Sequence, residues 1–210
     1  MGAMGAMGAM AAATCLRPSG WLRELPGFGA CTWAPSPNHN ERPQATAIWL
    51  AVIHGISLPP GVFGGTAIDD LFLNRTGLSA DEQPELLALV GLRVSSHFLI
   101  TRRARLVQYV AVNRRAWHAG QSDFEGEKDC NDFSVGIELE GTDDQPYEPR
   151  QIELLAALLS ELSQHIPSLS TVTGHSTIAP GRKTDPGDFF DWPLLARELE
   201  RLRPTLRCRP

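Results

Sequence analysis

Hydrophobic and polar positions follow three different rhythms along this chain. Residues 47–53, Ala-Ile-Trp-Leu-Ala-Val-Ile, form an unbroken apolar run that closes on His54. Such a run, ended by Pro59-Pro60-Gly61, predicts a strand covered on both faces. Residues 134–140 alternate instead. Val135, Ile137 and Leu139 take one side and Gly136, Glu138 and Glu140 the other, the period of a strand. The apolar set is expected to face the core, leaving Glu138 on the opposite face with room beside it at Gly136. Residues 149–166 carry Ile152, Leu155, Leu158, Leu159, Leu162 and Ile166 at three- and four-residue spacing, a helical stripe that Pro167 ends. A second stripe, Leu194, Leu195, Leu199 and Leu202, predicts a closing helix over 192–203, stopped by Pro204.

Weaker signals fill the rest. A short helix is expected at 66–74 and a helical patch at 86–89. Two strands, 96–101 and 105–112, are joined through Arg102-Arg103-Ala104, a turn without the Asn-Gly or Asp-Gly of a two-residue hairpin. A long polar loop spans 113–132, and a strand over 169–174 delivers His175. The order predicts an α/β (α+β) fold, one domain with a mixed central sheet flanked by helices. The expected boundaries are a low-complexity, disordered extension at 1–20, the domain at 21–203 and a frayed tail at 204–210.

Composition narrows the function classes. Of 210 residues, 42% are hydrophobic and 20% charged, with a net charge of −5. A mildly acidic chain argues against nucleic acid and anionic membranes as partners. No stretch reaches the roughly 20 apolar residues of a membrane span. The opening Met-Gly-Ala repeats carry no charge before Arg17 and no large aliphatic residue before Leu16, unlike a secretory signal. A cytoplasmic monomer is the expectation. Cys15, Cys31, Cys130 and Cys208 show neither a disulfide framework nor C-x-x-C spacing, so reduced thiols are expected.

The chemistry gathers in two segments. His54 ends the first apolar run, while His175 and Asp185 sit in Thr-Gly-His-Ser-Thr-Ile-Ala-Pro-Gly-Arg-Lys-Thr-Asp-Pro-Gly (173–187). Two imidazoles and a carboxylate leave a fourth tetrahedral position open on zinc, the arrangement of a catalytic site. Glu138 and Lys183 are the candidates for proton handling and charge stabilisation. Each has a plainer alternative: a core histidine for His54, an Asx turn before Pro186-Gly187 for Asp185, and a solvated charge for Lys183, which fits Arg182 better. His97 reads as a core histidine, and His39 and His165 as surface residues. Asn131 and Asp132 are expected to organise the loop before residues 134–140.

Five ordered blocks carry a resemblance: 56–65 (Ile-Ser-Leu-Pro-Pro-Gly-Val-Phe-Gly-Gly), 94–100 (Val-Ser-Ser-His-Phe-Leu-Ile), 115–120 (Arg-Ala-Trp-His-Ala-Gly), 130–142 (Cys-Asn-Asp-Phe-Ser-Val-Gly-Ile-Glu-Leu-Glu-Gly-Thr) and 173–187. Over roughly residues 20–203 the chain resembles the zinc-dependent type 2 amidases, which share a fold with the peptidoglycan recognition proteins. The resemblance implies hydrolysis of the amide between muramic acid's lactyl group and L-alanine, in 1,6-anhydro-muropeptides released during peptidoglycan recycling. It implies one Zn2+ held by His54, His175 and Asp185, with Glu138 as general base and Lys183 stabilising the oxyanion. Trp117 and His118 are expected to border the cleft, and Arg93 to pair with a substrate carboxylate through its guanidinium fork. Gly55 and Asp129 depart from the family pattern: relatives often carry an amide-type residue at the first, and a basic residue would help at the second. Two rival functions are an exported autolysin acting on intact peptidoglycan and a non-catalytic peptidoglycan-binding module. The retained ligand set and Glu138 and Lys183 speak against the second.

Overall fold

The computed structural model describes residues 15–75, 89–202 and 205–210. Its centre is a seven-stranded sheet. The strands are β1 (Thr32–Trp33), β2 (Leu50–Ile56), β3 (Phe98–Ile100), β4 (Leu106–Gln108), β5 (Ser134–Glu140), β6 (Thr171–Gly174) and β7 (Arg207–Cys208). Their order is β7-β6-β2-β5-β3-β4-β1. Every neighbouring pair is parallel except β3 with β4, the hairpin through Arg102-Arg103-Ala104. Ala104 takes a left-handed backbone (φ 52°) there, in place of the glycine that such turns favour. The helices are α1 (Ala67–Phe72), α2 (Pro149–His165), α3 (His175–Ile178) and α4 (Trp192–Leu202).

Helix α2 starts as its sequence dictates. Pro149 occupies the first turn, where its missing N–H costs nothing. Glu148 and Gln151 form a reciprocal capping box across the start. The Gln151 amide also donates to the Ile100 and Glu140 carbonyls, tying the helix to the ends of β3 and β5. The α2 stripe, with Leu195 and Leu199 of α4, packs on Ala51, Ile53, Val135, Ile137 and Leu139 from one face of the sheet. The opposite face of β2 is covered as well: Leu50 and Val52 pack with Ala119, Phe124, Cys130, Phe133 and Ile178. Double coverage explains the continuous apolar run. Helix α1 covers a third cluster with Leu99 and Tyr109.

Three expectations need correction, and one lies beyond view. The tail is not frayed: Arg207–Cys208 adds an edge strand parallel to β6. Two residues are too few to show a period, so the chain gives no sign of it. The extension is packed from at least residue 15, since Leu16 is buried and bridges Leu22, and the Arg23 N–H donates to the Cys15 carbonyl. The loop at 113–132 holds two ribbons: Arg115–Ala116 pairs with His39–Asn40, and Asp123–Phe124 with Glu127–Lys128. The patch at 86–89 falls mostly outside the described residues. All four cysteines are free thiols.

Candidate metal centre and active site

The sheet register assembles the first half of the site. On adjacent parallel strands His54 is the direct partner of Glu138, so both project from the same face. One strand over, β6 ends at Gly174 and hands His175 to the start of α3. Asp185 returns to this point on the following loop, where its carbonyl accepts the Ser176 N–H (2.9 Å). The loop is clamped from beneath by the Tyr147 hydroxyl, which donates to the Pro186 carbonyl (2.9 Å).

Three donor atoms converge there. His54 Nδ1 lies 2.9 Å from His175 Nδ1 and 3.3 Å from Asp185 Oδ2, and His175 Nδ1 lies 3.1 Å from the same oxygen. Ligands at ~2.0 Å from a tetrahedral zinc stand about 3.3 Å apart, so the spacing suits that ion. The remaining His175 nitrogen, Nε2, donates to the Ala119 carbonyl (3.1 Å), which leaves Nδ1 to the centre.

Charge at the centre follows from burial and these contacts. Burial pushes the His54 pKa down to about 4, against the raising effect of Asp185, so the imidazole is neutral at neutral pH, as a ligand must be. Burial alone would raise the Asp185 carboxyl. Its bonds to His175 and His54 outweigh that and hold it well below the usual carboxylate range. Glu138 is the reverse case. Burial raises its pKa well above the ordinary value, the Asp185 charge adds to this, and Lys183 only partly opposes it. Glu138 is 8% exposed, and its carboxylate gains no hydrogen bond among the described residues. Lys183 is exposed on the rim of an open groove with Gly55, Gly141, Asp143 and Asp185.

Glu140, two residues on, is 4% exposed but fully engaged: it accepts the Gly64 N–H and the Arg102 N–H (2.8 Å). These two bonds make it a structural group. His97 is a satisfied core histidine, accepting the Gly136 N–H (3.0 Å) at Nδ1 and donating to the Arg114 carbonyl (3.0 Å).

The expected substrate contacts fare differently. The Trp117 indole N–H is spent on Asn40 Oδ1 (2.7 Å), which anchors the loop. His118 uses both ring nitrogens internally, Nδ1 with His54 Nε2 (2.9 Å) and Nε2 with Ser134 Oγ (3.2 Å). Arg93 is exposed and directed at Asn74 (3.4 Å), with no described contact to the ligand trio. Arg182 is exposed, as expected of a solvated charge, yet it also makes contacts of its own. It lies over Gly120 and donates to the carbonyls of Ala119 (2.7 Å) and Gln121 (2.6 Å). His39 and His165 are half-buried rather than surface residues.

Asn131 organises the loop backbone as expected, whereas sequence reasoning left Ser134 without a role. The Asn131 side-chain oxygen accepts the N–H groups of both His118 and Ala119 (3.0 and 2.8 Å). Asp132 pairs with Arg115. At the first departure from the family pattern, a Cβ on Gly55 would lie 2.3 Å from the Tyr147 hydroxyl, so that hydroxyl requires the glycine. At the second, Asp129 adopts a left-handed backbone (φ 59°), a conformation that Asp tolerates better than most residues.

Comparison with known proteins agrees with this geometry. The N-acetylmuramoyl-L-alanine amidase family model matches residues 44–188. The 1,6-anhydro-N-acetylmuramyl-L-alanine amidase AmpD of Salmonella typhimurium (strain SL1344) is 47% identical over 175 residues, 83% of this chain and 89% of the relative. A crystal structure of AmpD as its selenomethionine derivative superposes with a TM-score of 0.78 at 44% identity, covering 86% of this chain and 97% of that one. AmiD from E. coli, solved with anhydro-N-acetylmuramic acid-L-Ala-D-γ-Glu-L-Lys, gives a TM-score of 0.52 at 31% identity, covering 75% of this chain and 60% of that one. With its candidate ligand trio, its buried glutamate and this likeness over most of its length, the chain belongs to the N-acetylmuramoyl-L-alanine amidase family.

Proposed function

We propose that this chain is a zinc-dependent recycling amidase that hydrolyses the lactyl–L-Ala amide of 1,6-anhydro-muropeptides. The observation that carries the reading is the convergence of His54, His175 and Asp185, whose donor atoms all lie within 4.8 Å of one another, beside Glu138. The AmpD relatives, similar over most of their length, supply the anhydro-muropeptide as substrate.

A zinc ion held by these three residues would act as a Lewis acid toward the scissile carbonyl and raise the acidity of a nearby water. The rest falls to the protein. Glu138 takes a proton from the attacking water and returns it to the departing amine. Burial raises its pKa, which makes it a stronger proton acceptor for the first transfer. Lys183, exposed at the rim, stabilises negative charge as it develops on the carbonyl oxygen. The site acts in a monomer, on a small soluble substrate, with neither nucleic acid nor membrane as partner. Free thiols fit a cytoplasmic location.

The test offers zinc-loaded protein an anhydro-muramyl tripeptide and intact sacculi in parallel, with products read by mass spectrometry. Release of tripeptide from the small substrate alone is expected. Release from sacculi would instead mark a wall-lytic enzyme, and cleavage of neither would defeat the amidase reading.

A further inference from the structure

Outside the ligand trio, the loop at Trp117–Gly120 makes contacts that substrate binding does not explain. His118 has no ring nitrogen left for a ligand, yet its ring is fitted into a prepared slot. A Cβ on Gly136 would stand 2.4 Å from the His118 Cγ, so only glycine there leaves room for the ring. The ring meets that of His54 edge to face, with centroids 5.0 Å apart.

Proton counting assigns the direction of each bond. The Ser134 hydroxyl has one hydrogen, which it donates to the Cys130 carbonyl. Its oxygen must therefore accept from His118, so Nε2 of His118 carries the proton. In a neutral His118, Nδ1 is then an acceptor. It can only receive the Nε2–H of His54, 2.9 Å away. With its proton fixed at Nε2, His54 presents a bare lone pair at Nδ1, the atom that faces His175 and Asp185.

We propose that His118 and Ser134 are positioning residues, a relay from the Cys130 carbonyl to His54 that fixes the tautomer and ring orientation of His54 for metal binding. The same loop serves the second histidine through the Ala119 carbonyl, which accepts His175 Nε2–H. Asn131 locks the two functions together by accepting both loop N–H groups. One short segment thus sets both imidazoles, as outer hydrogen bonds commonly do around bound metals. The relay rests on the zinc reading given above, and its test separates the two.

Two measurements on the full chain decide it. In metal-free protein, nitrogen-15 shifts of the imidazoles should show His118 and His54 each protonated at Nε2 alone, with His118 losing that single-tautomer signature in Ser134→Ala. Zinc affinity, measured by competition with a chromophoric chelator, should fall 10–100-fold in His118→Phe. It should recover to within a few-fold in His118→Asn, whose side-chain oxygen can accept where Nδ1 did. Ser134→Ala should lie between, and Ser134→Thr should match the parent. A proton on His118 Nδ1, or a His118→Phe protein that folds and binds zinc as tightly as the parent, would overturn the relay. A parent chain that binds no zinc would defeat the metal reading, while the tautomer spectra would still decide the relay.

Discussion

The two faces of β5 differ in what burial does for them. On one face Val135, Ile137 and Leu139 are fully buried against α2. On the other, Ser134, Gly136, Glu138 and Glu140 are also buried, although two of them are carboxylates. Alternation of polar and apolar residues usually marks a strand with one wet face. Here the polar face is roofed by the loop around His118 and by the segment at Gly64. The apolar face gains stability from losing water. On the proposed reading the polar face gains chemistry, and only where a group is left unpartnered: Glu140 has two backbone donors, and Glu138 has none among the described residues. Two glutamates on one strand thus separate into a structural group and the proposed reactive one by the company they keep.

The largest effect that can break this contrast is expected at Glu138. Glu138→Gln should lower turnover of the anhydro-muropeptide by ~10²–10⁴-fold, the range for losing a general base. The same change should stabilise the metal-free protein at neutral pH. A carboxyl whose folded pKa is raised binds its proton more tightly folded than unfolded, so stability falls as pH climbs above the ordinary value. Glutamine cannot ionise and removes that loss. Chemical denaturation at pH 7.5 with a chelator present reads the sign, and a destabilised variant would contradict the assignment of Glu138 as the strained group. Lys183→Ala should keep zinc while losing turnover, and undiminished turnover would remove Lys183 from the mechanism.

Smaller and opposite in sign are two stability changes. Ile137→Ala, on the apolar face, should cost about 2–5 kcal/mol through lost burial and an unfilled cavity. Glu140→Gln should cost about 1–3 kcal/mol, because an amide cannot accept both the Gly64 and Arg102 N–H groups with full-strength bonds. Urea titrations give both values. If Glu140→Gln stabilised the chain as Glu138→Gln is expected to, partnering would not be what distinguishes the two glutamates.

Much of this arrangement is legible in the sequence, for reasons that particular residues show. Elements long enough to repeat a period announce themselves: the alternation of 134–140, the stripe of α2 and the apolar run of β2. Ligand types at the ends of two such strands mark the centre, because strands fix direction and spacing. What stays hidden depends on pairing across the chain. Arg207–Cys208 becomes a strand only because β6 offers an edge. His118 looks like any loop histidine until Ser134, 16 residues away, and His54, 64 residues away, come within hydrogen-bond reach. Arg182 is exposed beside Lys183, but its bonds to the Ala119 and Gln121 carbonyls over Gly120 show only in the fold. Local pattern yields elements and candidate ligands, but the roles of groups that satisfy other groups emerge only from the fold.

The finest test of the contrast lies between the faces, at His97, which reads β5 through its backbone. Its Nδ1 accepts the Gly136 N–H and its Nε2 donates to Arg114, so the ring must be neutral to serve. Burial, helped by the charge of Arg42, pushes its pKa down to about 3 from the ordinary 6.5. Between those values the unfolded chain binds a proton that the native protein refuses. Stability present above pH 6.5 is therefore lost as pH falls toward 3, by at most ~1.4 kcal/mol per pH unit for one group. His97→Gln keeps one acceptor and one donor but has nothing to titrate. The variant should be less stable than the parent near pH 7.5, and its stability should fall less steeply with acid, by about one proton in the slope. Urea unfolding at half-unit steps from pH 7.5 to 4.5 measures that slope. An unchanged slope would mean that His97 is already protonated in the native state, and the Gly136 N–H would then have lost its acceptor under the same residue that makes room for His118.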